Sequence, residues 1–206
     1  MSSNHMSPTP PRPDFTFPSD LLQYNVSIPE YINSQPGLDA LIVGTVVFHP
    51  DCSGRLLLIQ RAASDFMPNL WETPGGMAEA GRDRTVLEAA VRELREESGL
   101  SATCVRRLVD LYEFRASDGR MFQKLTFEAD VKDGGGNGKQ DGGVTGGGGA
   151  GSLAVKLDPE EHQDFVWVSE QEYRAGWAGD RRLAITHPNQ EVTIDRAFKA
   201  RRCENK

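Results

Sequence analysis

Apolar positions along this chain predict a sheet-forming region that begins near residue 38. Residues 41–48 form an almost continuous apolar, β-branched run, which is typical of a buried strand. Turn-forming residues fill 49–54 and a second apolar run follows at 55–61, so we expect these two strands to pair as a hairpin. The same criteria predict further strands at 70–73, 102–113, 121–131, 153–157 and 165–168.

Between the third and fourth of these strands, the apolar period lengthens to that of a helix. Four apolar residues recur at three- and four-residue steps and therefore share one stripe of an amphipathic helix: Leu87, Ala90, Val91 and Leu94. Gly99 follows, at the position where helices commonly turn into the left-handed region. A second helix with a basic end is predicted at 194–201.

Composition divides the chain into one domain with appendages. Residues 1–20 are rich in Ser, Pro and Thr and are predicted to be a disordered tail. Residues 21–37, with a short helix around 29–32, are expected to pack over a domain that spans 38–206. Residues 133–152 are nearly all Gly and are predicted to be a flexible insertion; a phosphate-binding Gly loop is excluded because no Lys-Ser/Thr pair follows.

Charge and cysteine content narrow the possible function classes. The net charge of −7 over 206 residues argues against general nucleic-acid binding, which requires a basic face. No apolar run is long enough for a membrane span and no signal-peptide pattern is present, so we expect no membrane partner. The three cysteines are far apart and odd in number, which favours a reducing, cytoplasmic location, and the four histidines lack zinc-type spacing.

Three carboxylates project from one face of the predicted central helix. Glu93, Glu96 and Glu97 are related as i, i+3 and i+4, and like charges at this spacing repel one another. A hard divalent cation would offset the repulsion, and Mg²⁺ with oxygen ligands is the natural candidate, with Mn²⁺ as a second possibility. The alternative interpretation is a solvated acidic face balanced by ion pairs with neighbouring arginines.

The stretch WETPGGMAEAGRDRTVLEAAVRELREESGL at 71–100 resembles the Nudix box, whose pattern is Gly, five residues, Glu, seven residues, then Arg-Glu-apolar-any-Glu-Glu-any-Gly-apolar. Residues 92–100 fill every fixed position of the second half. The first half departs, because the spacing from Gly76 to Arg92 is two residues longer than the pattern. Counting back from Arg92 gives Arg84 where the pattern has Glu, so either Glu79 or Asp83 substitutes or the interaction with Arg92 is missing.

The resemblance to the Nudix hydrolase family implies a fold, an activity and a set of site residues. The implied fold is an α/β/α sandwich with a mixed β-sheet. The implied activity is Mg²⁺-dependent hydrolysis of a nucleoside diphosphate linked to a further group X, a small-molecule diphosphate substrate. The implied metal ligands lie in the box and in an acidic loop near residue 160: the carbonyl of Gly76, Glu93, Glu96, Glu97 and Glu161, with Glu160 as the runner-up.

Roles in substrate binding and proton transfer follow from the same resemblance. Glu93 or Glu96 would orient or deprotonate the attacking water. Arg61 would face the substrate phosphates, although an ordinary charged strand end explains it equally well. Gly75 and Gly76 would let the backbone approach the substrate closely.

Two other functions remain open from the sequence. A non-catalytic Nudix-fold module could bind a nucleotide or a protein, and the lengthened box loop is the feature that favours it. A hydrolase of broad substrate range, clearing the nucleotide pool, is the other. The specific diphosphate and the oligomeric state cannot be read from the residues.

Overall fold

The computed structural model describes residues 14–51, 54–133 and 153–204. Most of the helices and strands that the apolar pattern predicts are present. The helices are a 3₁₀ turn at Ser19–Tyr24, α1 (Ile28–Ser34), α2 (Val86–Ser98), α3 (Glu170–Ala175) and α4 (Pro188–Glu204). The strands are β1 (Ala40–Val47), β2 (Arg55–Arg61), β3 (Trp71–Glu72), β4 (Gly75–Met77), β5 (Leu100–Arg115), β6 (Met121–Asp133), β7 (His162–Ser169), β8 (Trp177–Ala178) and β9 (Arg181–Arg182).

Two main sheets lie between helices. The larger has the order β4-β1-β6-β5, in which β1 and β6 are parallel and the other pairs antiparallel, and the second has the order β3-β2-β7. Val43 and Val46 point to opposite faces of β1 because side chains alternate along a strand. Val43 packs in the core that includes α2, and Val46 packs in the core that includes α4. The mixed sheet with helices on both faces confirms the predicted α/β/α class.

The predicted hairpin between β1 and β2 is wrong. The two strands belong to different sheets and meet only at their shared end, through a bridge between Phe48 and Leu56. Both edges of β1 are occupied by β4 and β6, and both edges of β2 by β3 and β7. An apolar run indicates that a strand is buried, but it does not identify the strand with which it pairs. The hairpin was inferred from the short turn between the two runs, and here that turn joins strands of different sheets.

The strand predicted at 153–157 is also absent. This segment instead passes the end of α2, where the Lys156 N–H donates to the Ser98 carbonyl at 2.8 Å. Gly99 has a φ of 69° and ends α2 in the left-handed region, as predicted. A Cβ on Gly99 would lie 3.0 Å from the Lys156 Cβ, so the glycine also permits this close passage.

The N-terminal extension packs into the main core. Leu21 and Ile28 are buried beside side chains of the sheet and α2, and Ser27 caps α1 by accepting from the Glu30 N–H. The predicted disordered tail needs a correction at 14–20, because Phe15 is buried and the 3₁₀ turn begins at Ser19. Residues 1–13 and the Gly-rich 134–152 lie outside the described residues.

The remaining helices agree with the pattern in position. The C-terminal helix α4 is longer than the predicted 194–201 and begins at Pro188. Thr85 caps the start of α2, because its side chain accepts from the Glu88 N–H. Across the described ranges, no helix combines the length and hydropathy that a membrane crossing requires.

Candidate active site

A cleft of about 800 Å³ opens where α2, β4, the loop after β2 and the loop before β7 converge. Every residue to which the sequence assigned a site role lines this cleft: Arg61, Gly75, Gly76, Glu93, Glu96, Glu97 and Glu161, together with the runner-up Glu160. These residues come from four separate segments of the chain. The fold brings all of them together, whereas sequence spacing could group only the residues within each segment.

The glycine pair of β4 lies directly against two carboxylates of α2. The Gly75 N–H donates to Glu97 Oε2 at 2.6 Å. A Cβ on Gly76 would lie 2.7 Å from Glu93 Oε2, so any larger residue would push this carboxylate away. Gly75 itself crosses β1 so closely that a Cβ would lie 2.6 Å from the Gly44 Cα. Both glycines are therefore required by close approach, and they fix where the carboxylates sit.

Burial separates the three carboxylates of the helix. Glu93 and Glu97 are buried, at 8% and 6% exposure, whereas the Glu96 side chain is 38% exposed. Burial raises the pKa of Glu93, and the adjacent Arg92 partly opposes the shift. Burial also raises the pKa of Glu97 well above its usual value, reinforced by Glu72, Glu93 and Glu161 and opposed by the Gly75 N–H. Ionised together, these carboxylates require a cation.

A cluster suited to a metal ion forms where α2 meets the start of β7. Ligand atoms of Glu97, Glu161 and His162 all lie within 4.8 Å of one another. The loop is fixed by two backbone bonds, from the Ala62 N–H to the Glu161 carbonyl and from the His162 N–H to the Asp158 carbonyl, each 2.8 Å. This placement supports Glu161 over Glu160 as the carboxylate contributed by the loop.

Sequence reasoning missed His162, a member of this cluster, and Glu72, which lies beside it. His162 is 2% exposed, and its Nε2 lies 3.3 Å from Glu72 Oε1 and 4.0 Å from Glu97 Oε1. Its Nδ1 is buried without a hydrogen-bond partner among the residues that the structure describes. Two signals were available in the sequence: the adjacent Glu161-His162 pair, and Glu72 before the glycine pair. The spacing between histidines, which was the criterion applied to them, reveals neither residue.

Asp83 resolves the departure in the first half of the box. The Arg92 Nε donates to Asp83 Oδ1 at 2.7 Å and its Nη2 to Asp83 Oδ2 at 2.9 Å. Asp83 Oδ2 also accepts from the Glu79 N–H at 2.8 Å, which closes the lengthened loop. Of the two proposed substitutes, Asp83 is therefore the partner of Arg92, while Arg84 pairs with Glu88 on the helix surface.

Arg61 lines the cleft but has carboxylate partners of its own. Its Nη1 donates to Glu72 Oε1 at 2.6 Å, and its Nη2 donates to Asp65. Trp71, which precedes Glu72, is 1% exposed and donates through Nε1 to the Arg182 carbonyl at 2.9 Å, so it packs in the core. The position of Arg61 is compatible with both of its predicted roles.

The described residues thus form an α/β/α sandwich whose carboxylate-rich cleft lies beside a glycine pair, as the box predicts. Residues 40–187 match the NUDIX domain model. The chain therefore belongs to the NUDIX family, which confirms the resemblance drawn from the box.

Individual relatives agree with this assignment. The chain is 39% identical over 77 residues, 37% of its length, to the m7GpppN-mRNA hydrolase NUDT17 of Xenopus laevis. It is 48% identical over 50 residues, 24% of its length, to the CTP pyrophosphohydrolase of Escherichia coli K12. The matched segments span only 24% and 36% of these relatives. A NUDIX hydrolase of Nitrosomonas europaea shares the fold, with a TM-score of 0.55, 20% identity, and 79% of this chain and 90% of that chain covered.

Proposed function

We propose that this protein is a divalent-metal-dependent pyrophosphohydrolase that cleaves the diphosphate bond of a nucleotide or nucleotide derivative. The observation that carries the proposal is the meeting of Glu93 and Glu97 with Glu161 and His162 beneath the glycine pair. The names of the relatives, a cap hydrolase and a CTP pyrophosphohydrolase, support a nucleotide substrate. The proposal does not choose among nucleotides.

The donor set fits Mg²⁺, with Mn²⁺ as the alternative. Buried carboxylate oxygens are the ligands that Mg²⁺ prefers, and Glu93, Glu97, Glu161 and the Gly76 carbonyl would hold it, with Glu96 at the rim. The nearby imidazole of His162 is a donor that Mn²⁺ accepts more readily than Mg²⁺. When bound, the ion would neutralise diphosphate oxygens and make a water molecule more acidic.

Hydrolysis in this cleft balances with water as the only co-reactant. The water oxygen forms a bond to one phosphorus while the bond from that phosphorus to the bridging oxygen breaks. The bridging oxygen leaves with the other phosphate, and a carboxylate accepts the proton that the water loses. Glu93 and Glu96 are the candidates for this base, since both line the cleft and both lie beside Arg92.

A substrate panel tests the proposal. The parent protein is incubated with nucleoside triphosphates, capped dinucleotides, ADP-ribose, nucleotide sugars and dinucleoside polyphosphates, each with Mg²⁺, Mn²⁺ or chelator. We expect metal-dependent release of phosphate-bearing products from one substrate class. Release that persists in chelator, or no release from any compound, would contradict the proposal.

One observation favours a second candidate, a non-catalytic nucleotide-binding module. Glu96, a predicted catalytic residue, is engaged by both Arg82 and Arg92 rather than left open to a water molecule. The panel distinguishes the two candidates when nucleotide binding is measured alongside release by calorimetry. Nucleotide binding without product release would establish the module.

A further inference from the structure

The lengthened box loop places an arginine in the cleft. Counting forward from Gly76, the position where the family pattern has Glu is Arg82; counting back from Arg92 it is Arg84, because the loop is two residues longer. Asp83, the residue after Arg82, binds Arg92 in place of this Glu. Arg82 has therefore no part in anchoring the loop to Arg92, and it lines the cleft beside the box carboxylates.

The contacts of Arg82 are with exposed carboxylates. Its Nη2 binds Glu96, and its Nη1 lies 4.0 Å from Glu79 Oε1. All three side chains are substantially exposed, at 51% for Arg82, 54% for Glu79 and 38% for Glu96. Ion pairs between exposed side chains contribute little to stability, so this guanidinium can exchange its partner at small cost.

The other two arginines of the cleft are held more firmly. Arg92 is 15% exposed and forms a bidentate pair with Asp83, which is 2% exposed. Arg61 is 25% exposed and lies between Glu72 and Asp65. Of the three arginines that line the cleft, Arg82 is thus the one whose carboxylate partners are all exposed. A polyphosphate entering this acidic cleft needs cationic partners in addition to a metal ion.

We propose that Arg82 binds a phosphate of the substrate, and that it favours nucleotides with three or more phosphates over nucleoside diphosphates. The inference rests on the proposed function of the cleft. Glu93 and Glu97 lie in the buried inner part of the cleft, and Arg82 lies at its exposed rim beside Glu96. A phosphate chain whose cleaved bond lies near the inner carboxylates needs a further phosphate to reach this guanidinium. The planar guanidinium is suited to a bidentate contact with phosphate oxygens.

The test compares three variants with the parent protein: Arg82→Gln, Arg82→Lys and the control Arg84→Gln. Arg84 lies two residues away in the same loop, pairs with Glu88 and does not line the cleft. With Mg²⁺ present, we expect Arg82→Gln to raise KM for a nucleoside triphosphate roughly tenfold, with kcat within about threefold. KM for the matching diphosphate should change less, Arg82→Lys should recover part of the loss, and Arg84→Gln should match the parent.

A binding measurement separates this inference from the proposed function. Calorimetry with a nucleoside triphosphate analogue in which methylene groups replace both bridging oxygens, so that neither bond can be hydrolysed, should show weaker binding to Arg82→Gln than to the parent and to Arg84→Gln. If the parent cleaves nucleotides but Arg82→Gln keeps the parent KM and affinity, the inference is wrong and the proposed function stands. If the parent neither cleaves nor binds nucleotides, both are wrong. If the parent binds but does not cleave, a weakened Arg82→Gln supports the inference and an unchanged one overturns it.

Discussion

The inner wall of the cleft, Glu93 and Glu97, is buried, whereas the outer rim, Glu79, Arg82 and Glu96, is exposed over a third or more of each side chain. The backbone fixes both inner carboxylates. The Gly75 N–H donates to Glu97, and the lack of a side chain on Gly76 leaves room for Glu93. In the part of the chain that the structure describes, the ion pairs of the rim side chains join them to one another and to Arg92. We therefore expect turnover to depend most on the buried wall, and substrate choice to depend most on the exposed rim.

The largest effect is expected from the inner wall. Glu97→Gln keeps an oxygen for the Gly75 N–H but removes a negative ligand, so turnover should fall by roughly 100-fold or more. Glu79→Gln, at the rim, should lower turnover by no more than a few-fold. Steady-state rates at saturating Mg²⁺ check both variants, and circular dichroism checks that each is folded. Equal losses in the two variants would remove the distinction between wall and rim.

The next effect concerns Asp83, which ties the rim loop to the helix. Asp83→Asn removes the carboxylate that binds Arg92 in a bidentate pair, and we expect the free energy of unfolding to fall by about 2 kcal/mol. Glu88→Gln, which breaks the more exposed pair with Arg84, should cost about 0.5 kcal/mol or less. Urea denaturation measures both. Equal costs would show that Asp83 is not the anchor of the lengthened loop.

How much the sequence predicted depends on how local the signal was. The helical period and Gly99 specified α2 and its end, and the box placed Glu93, Glu96 and Glu97 on one face, because these features need only neighbouring residues. The β1–β2 hairpin failed because strand partners are chosen by the whole sheet. His162 reaches Glu72 only through the pairing of β2 with β7, which no local spacing records.

The glycine that supports the inner wall gives a smaller, more selective effect. Gly76→Ala would displace the Glu93 carboxylate, which lies at the end of a flexible side chain, so stability should change little. Turnover should nevertheless fall about tenfold, and the Mg²⁺-dependent rise in Tm should shrink. Gly81→Ala is the matched control, because its Cβ would meet no atom within 4 Å. A Gly76→Ala protein with parent turnover would show that Glu93 need not lie where the structure has it.

The smallest effect concerns the buried amine of Lys124, behind the inner wall. Burial lowers the pKa of Lys124, opposed by Glu72 and Glu97. In the unfolded chain, the pKa of Lys124 keeps its usual value near 10.5. The stability that the neutral amine contributes is therefore present above pH 10.5 and is lost as the pH falls through the lowered pKa of the folded state. Lys124→Met should remove this dependence and raise the free energy of unfolding at pH 7 by about 1 kcal/mol. Denaturation curves between pH 7 and about 10.5 test it; identical pH profiles for parent and variant would contradict it.

We propose that α2 and the loop before β7 together hold one metal-dependent site. Substitutions of two adjacent glutamates in that loop test this proposal. Glu161 belongs to the cluster with Glu97 and His162, while Glu160 lines the same cleft outside that cluster. The measurement is Mg²⁺-dependent turnover of Glu161→Gln beside Glu160→Gln, on the substrate that the panel identifies. We expect a loss of at least about tenfold in Glu161→Gln and near-parent turnover in Glu160→Gln. Parent turnover in Glu161→Gln, or a loss confined to Glu160→Gln, would contradict it.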